Sequence, residues 1–325
     1  MRDAMFRAEV GDDVLGDDPT VIQLEALAAE IMGKEAGLFV TSGTLGNNIA
    51  INVHTRPGDE VLMDWDSHSM CYEVGAPAVI SGIQSRQYRS TLGIPDLQQI
   101  TRAITVESLH SPATSLIIVE NTHNKHGGAV IPVDVIHQVG SIARERQVRF
   151  HIDGARIFNA SIASGIPTSE IVSSADSVTF CLSKGLGCPV GSVLCGTREF
   201  VDRARRVRKM LGSGMRQVGI LAAAGIYALK NNISRLSDDH ANARLLAERM
   251  SVIDGIEVDL KSVQTNMVYF NVPGKAKDVE SALSEQGILC LALSSDTIRM
   301  VTHLDVDREG VIKATEAMKY CLDVK

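Results

Sequence analysis

Short apolar runs rich in Val, Ile and Phe alternate along this chain with longer segments in which apolar residues recur at helical spacing. That alternation predicts an α/β fold. Strands are expected at Leu38–Val40, Val61–Met63, Ser115–Glu120, Val148–Ile152, Ser177–Leu182 and Gly191–Cys195. Their runs are apolar on both faces, as in a parallel or mixed sheet covered by helices. Asp18 then Pro19 reads as an N-cap and a first helical position, and Val21, Leu24, Leu27, Ala28 and Ile31 keep the helical period until Gly33 stops it. Another helix follows Pro132, with Val135, Ile136, Val139 and Ile142 on one face. From about residue 197 the pattern changes to helices without strands, at Thr197–Leu211, Met215–Asn231 and His240–Met250. The section from Ile256 returns to a small α+β alternation, with strands expected at Met267–Asn271 and Ile298–Thr302. These patterns divide the chain into a large domain over 1–235 and a small α+β domain over 236–325, with no repeat or Pro/Gly-rich linker between them.

The longest apolar stretch, Gly219 to Leu229, is shorter than the roughly 18–20 residues a membrane span needs and reads as a buried helix. The opening residues carry Asp3, Glu9, Asp12 and Asp13, so neither a secretory nor an acid-poor transit segment is expected there. A length of 325 residues suits about two domains, and a 45% apolar, 22% charged composition can bury a sizeable core. A formal charge of −7 and a pI near 5.7 give no field that attracts phosphate backbones, which argues against nucleic-acid partners. The six cysteines form no CxxC pair and lie in apolar surroundings. That usage suits free thiols in a reducing, cytoplasmic compartment, with no disulfide and no structural zinc.

Three segments carry candidate chemistry. Thr41-Ser42-Gly43-Thr44-Leu45-Gly46-Asn47 leads from a strand into a helix, and free N–H groups at such a turn make an anion site for phosphate. It lacks the glycines of a dinucleotide fingerprint and the lysine of a Walker loop, and a plain turn is the alternative. Phe150-His151-Ile152-Asp153-Gly154-Ala155-Arg156 ends an apolar strand in an acid, at the strand end where open α/β sheets bind ligands. A helix cap is the alternative for Asp153. In Phe180-Cys181-Leu182-Ser183-Lys184-Gly185-Leu186-Gly187 a lysine follows a buried strand directly. Desolvation there would favour the neutral amine needed for a Schiff base. A phosphate cradle, an acid for a ring nitrogen and a Schiff-base lysine are the protein parts that pyridoxal 5'-phosphate requires.

With the further blocks Val10-Gly11-Asp12-Asp13, Gly16-Asp17-Asp18-Pro19-Thr20, Glu120-Asn121-Thr122-His123, Gly214-Met215-Arg216-Gln217 and Val301-Thr302-His303-Leu304-Asp305, the chain resembles the low-specificity L-threonine aldolase family nearly end to end. The resemblance implies a three-layer pyridoxal-phosphate-dependent transferase fold (fold type I) with a mixed, mostly parallel sheet and a small C-terminal α+β domain. It makes Lys184 the Schiff-base lysine, pairs Asp153 with the pyridinium and places the phosphate at Gly43 and Thr44. His68 matches the histidine stacked on the cofactor ring, and His123 the histidine near the substrate hydroxyl. Arg156 and Arg299 match arginines that engage the substrate carboxylate. Lys209 and Arg216 match positions that reach the phosphate of a neighbouring subunit, in a homotetramer built as a dimer of dimers.

The other members of the basic run, Arg198, Arg203, Arg205, Arg206 and Arg208, read as a solvated helix face. His126 completes a His-x-x-His pair, but its loop offers no third metal ligand, so it reads as a surface residue and no metal is expected. Two features depart from the family pattern. The family opens with Arg-Ser-Asp-Thr, ahead of where this sequence starts, and it has tyrosine where this chain has Leu15. Both would line the substrate pocket, so an incomplete wall and weak activity are expected. The implied reaction is cleavage of L-threonine or L-allo-threonine to glycine and acetaldehyde. The rivals are a weakly active or non-catalytic pyridoxal-phosphate-binding homologue, a β-eliminating lyase or serine-hydroxymethyl-transferring enzyme, and a nicotinamide-dependent enzyme, which the missing Rossmann glycines oppose.

Overall fold

In the computed structural model, which describes residues 1–323, twelve strands follow one another. They are β1 (Ala36–Val40), β2 (Glu60–Asp64), β3 (Gln84–Tyr88), β4 (Ser90–Thr91), β5 (Ile94–Pro95), β6 (Thr114–Glu120), β7 (Arg149–Asp153), β8 (Ser177–Cys181), β9 (Ser192–Gly196), β10 (Met267–Asn271), β11 (Leu291–Ala292) and β12 (Thr297–Val301). Seven of them form one sheet in the order β1-β9-β8-β7-β6-β2-β3. Only β9 runs against the rest, pairing antiparallel with both β1 and β8. The sheet is therefore mixed and mostly parallel, as its two-sided apolar runs require.

Alternation along the strands shows both faces buried. Leu62, Ile117 and Val119 join the large core beneath the helices Pro19–Met32, Val133–Glu145 and Gly219–Asn231. Val61, Met63, Leu116 and Ile118 form a second cluster on the other face. There the helix Gly43–His54 lies so close to β8 that a Cβ at Gly46 would stand 2.6 Å from Thr179 Cγ2. Leu236 belongs to the large core, whereas Ala243, Leu246, Ala247 and Met250 of the same helix, Leu236–Met250, pack into a separate core around β10 and β12. One helix thus joins the large sheet to the small antiparallel one, β10-β12-β11. No helix among the described residues is long and apolar enough to cross a membrane.

Among the features the sequence pattern missed, three bear on how the chain packs. β3 is a polar edge strand, Gln-Ser-Arg-Gln-Tyr, with only Tyr88 buried, so no apolar run marks it. The helix expected from Met215 begins at Gly219, whose N–H donates to Asp18 Oδ2 at 2.9 Å. Arg208 is buried rather than solvated: it donates to Phe39 O at 2.7 Å and pairs with Asp13 at 2.7 Å. Asp13 comes from a loop far off in the chain and pairs with the helix Arg198–Met210, a contact no local pattern reveals. All six cysteines are free.

Candidate active site

Because β1, β2, β6, β7 and β8 run in one direction, their carboxyl ends share one edge of the sheet. Open α/β sheets bind ligands along that edge. It collects the turn into Gly43, the loop to His68, the segment after Glu120, Asp153 itself and the turn to Lys184. A cleft of about 620 Å³ lined by Arg56, Asp59, Thr114, Arg149 and Asp176 lies at the opposite, amino ends of the strands and contains none of these residues.

The helix Gly43–His54 organises the edge. Ser42 caps it, accepting from Leu45 N at 3.1 Å. Gly43 permits close approach to β8, since a Cβ there would meet Cys181 Sγ at 2.9 Å. The Oγ of Ser192 nearby is buried without a partner. One turn on, Asn47 Nδ2 donates to Asp153 Oδ2 at 2.8 Å and to Glu73 Oε1 at 3.0 Å. Asn48 Nδ2 donates to Glu73 Oε2 at 2.6 Å. Asp153 is buried, and its Oδ1 accepts from Ala155 N at 3.1 Å, so both donors that hold it are neutral. Such a carboxylate is free to complement a protonated ring nitrogen.

His68 Nδ1 meets Glu73 Oε1 at 2.9 Å. That hydrogen bond raises the pKa of His68, with the nearby Asp153 adding to it, while burial raises that of Glu73. The pair shares a proton, and the Nε2 of a half-buried ring is left to act. The His68 backbone N–H donates to Glu120 Oε2 at 2.6 Å, and Asn124 N donates to Glu120 Oε1 at 2.9 Å. Glu120 lies directly beside Asp153 in the strand register, and burial, reinforced by Asp153, pushes its pKa up to about 7. The folded chain therefore holds a proton that the unfolded chain releases above 4.5, and stability falls as pH rises from there through about 7. Glu120→Gln is expected to flatten that decline, with a lower Tm at every pH because its amide accepts only one of the two N–H bonds. Thermal melts from about pH 4.5 to pH 8 check it, and parallel curves would refute it.

Arg156 and Arg299 converge from different cores. Each reaches Asn124 Oδ1 at 3.4 Å, a long contact, and Arg299 Nε is buried without a partner. Burial lowers the pKa of Arg156, and the like charge of Arg299 adds to that. Tyr269, the cross-strand neighbour of Arg299, donates its hydroxyl to Asn124 O at 2.9 Å. Two guanidiniums sharing one amide oxygen form a natural site for a carboxylate.

Other expected residues are placed differently. Lys184 lies after β8, adjacent to the strand that carries Asp153, and is half-buried rather than fully desolvated. His123 is 1% exposed, with neither ring nitrogen hydrogen-bonded, and faces Asp64 and His126. Burial lowers its pKa. His126 is half-buried beside it and not a surface residue. Arg216 pairs with Asp12, Lys209 is exposed, and Leu15 is 74% exposed at the tip of its turn. Sequence reading gave no role to Asn47, Glu73, Glu120, Asn124 or Tyr269. Only Glu120 carried a signal, as an acid ending an apolar run in the manner of Asp153.

The chain belongs to the β-eliminating lyase family, whose model matches residues 1–273. Within that class its relatives include low-specificity L-threonine aldolases. Probable low-specificity L-threonine aldolase 2 of Arabidopsis thaliana is 44% identical over 328 residues, covering 97% of this chain and 92% of that protein. Low specificity L-threonine aldolase of Escherichia coli K12 is 44% identical over 312 residues, covering 95% of this chain and 91% of that protein. The fold matches that of Leishmania major threonine aldolase with a TM-score of 0.82 at 18% identity, over 97% of this chain and 92% of that one.

Proposed function

We propose that this chain is a pyridoxal-phosphate-dependent lyase that cleaves L-threonine and L-allo-threonine to glycine and acetaldehyde. The observation that carries the reading is the unmatched pair Arg156 and Arg299 beside the strand ends of Asp153 and Lys184. The pair fits an α-carboxylate, and the strand ends fit a cofactor that condenses with amines. Family membership and the aldolase relatives support the same choice.

The residues present fit pyridoxal phosphate. A side chain at position 43 would fill the cradle, the N–H groups at the helix start face it, and Asp153 is held only by neutral donors. When bound, the cofactor supplies a carbonyl for amines and a ring that accepts the electron pair released at the substrate Cα. Lys184 would hold the cofactor through Nζ. Asp153 holds a proton on the ring nitrogen, and Gly43 and Thr44 hold the phosphate. Arg156 and Arg299 fix the substrate carboxylate and thereby orient the Cα–Cβ bond. His68 Nε2 takes the β-hydroxyl proton, while Glu73 at Nδ1 keeps the ring aimed.

We also propose a cytoplasmic homotetramer, a dimer of dimers, in which Lys209 and Arg216 reach the phosphate bound by the partner subunit. An exposed Lys209 and an exposed Leu15 turn support such an interface. In this assembly a glycine-forming step depends on two chains per site. Arg299→Ala is expected to raise KM for threonine by about 10–100-fold with cofactor retention nearly unchanged, because charge-assisted bonds to the carboxylate are lost. Arg216→Ala is expected to do the reverse. Acetaldehyde release and dialysis of the holoenzyme measure the two effects; no acetaldehyde from wild type would overturn the function, and like behaviour of the variants would overturn the division of roles.

A further inference from the structure

Asp64 ends β2, and His123 and His126 lie on the loop after β6, two strands that are neighbours in the sheet. Asp64 and His123 are each 1% exposed. Asp64 Oδ1 accepts from Asp66 N at 2.8 Å, but Oδ2 has no hydrogen-bond partner and lies 3.8 Å from His123 Nε2. Both ring nitrogens of His123 also lack one. The His126 ring is 4.5 Å from the His123 ring, centroid to centroid, and its Nε2 has only a long contact, 3.4 Å, to Ser90 Oγ. One ligand atom from each of the three residues lies within 4.8 Å of the others.

Buried polar atoms without partners are costly and rare, and Asp64 Oδ2 facing an unpartnered His123 ring nitrogen, with His126 beside them, calls for a common partner. A hydrogen bond between His123 and Asp64 would satisfy that pair and leave His126 idle. A dication uses all three, and small side-chain rotations bring the donors to the roughly 2.0–2.2 Å that imidazole and carboxylate ligands need. Two imidazoles with one carboxylate select a borderline transition metal, such as Zn²⁺, over Ca²⁺ or Mg²⁺, which prefer oxygen.

We propose that Asp64, His123 and His126 bind one divalent transition-metal ion, and that the ion pins the loop carrying Asn124 to the end of β2. Asn124 lies between the two histidines in sequence and its side chain meets both Arg156 and Arg299. The metal is thus a positioning device for the carboxylate clamp, and it takes as a ligand the histidine that the family resemblance places near the substrate hydroxyl. Its Asp64 ligand arrives from a different strand, which is why the His-x-x-His spacing alone showed no site.

The test uses chelator-treated full-length holoenzyme titrated with Zn²⁺. Wild type is expected to bind one equivalent and to gain about 5 °C in Tm at a hundredfold excess over Kd. His126→Ala and the milder His126→Gln should both lose the stoichiometric binding, whereas His137→Ala, on the helix Val133–Glu145, should retain it. No stoichiometric binding to wild type, or equal binding to both His126 variants, overturns the site. The positioning role rests on the proposed aldolase reading: metal removal should raise KM for threonine about tenfold with kcat within about twofold. An unchanged KM in an enzyme that does cleave threonine overturns that role alone, and the Zn²⁺ titration stands whether or not threonine is a substrate.

Discussion

Lys184→Ala is expected to lower threonine cleavage by at least about 10³-fold and to abolish the visible absorbance of the bound cofactor. The loss is chemical rather than structural. Leu182 N and Ser183 N both donate to Gly191 O, at 2.9 and 3.2 Å, and Asn232 Nδ2 holds Leu186 O at 2.7 Å, so the turn keeps its shape without the lysine side chain. Two other lysines are placed elsewhere: Lys125 is paired with Asp66, and Lys209 is exposed on the helix Arg198–Met210. Borohydride treatment of wild type followed by peptide mapping should label Lys184. A label on another lysine, or retained turnover in a variant with a wild-type circular dichroism spectrum, would remove Lys184 from its role.

The second large effect is expected for Asp153→Asn, with kcat falling about 10²–10³-fold in protein shown by absorbance to be fully loaded. The substitution preserves shape but removes the charge that keeps a facing ring nitrogen protonated. It also presents an amide to Asn47 Nδ2, which Glu73 already holds from the other side, so Asn47 cannot turn freely to compensate. Near-wild-type kcat in the loaded variant would leave Asp153 as a cap for the segment through its 3.1 Å bond to Ala155 N.

What could be read from the sequence followed the range of the forces involved. Apolar runs marked every strand of the large sheet except β3, whose polar edge position removes the signal. Asp153 and Lys184 were legible because a charge directly after a buried strand has few uses. Glu73 and Asn47 were not, since Glu73 acquires its meaning only when the helix Gly43–His54 is laid across β7 and β8. Arg208 and His126 were misread for the same reason. Asp13, the partner of Arg208, and Ser90 and Asp64, the neighbours of His126, are far away in the chain, and a local pattern assigns a basic residue without nearby partners to solvent.

The helix Gly43–His54 works as a ruler. Its first residue marks the phosphate end of the proposed cofactor, and Asn47, four residues on, grips the acid at the other end. At 1.5 Å per residue the two marks stand about 6 Å apart along the axis, a length set by backbone hydrogen bonding and not by any side chain. A molecule with its anion and its basic nitrogen at another separation would satisfy one mark and miss the other. Inserting or deleting a single residue between Thr44 and Asn47 would rotate Asn47 by about 100° and spoil the gauge while leaving every named site residue in the chain.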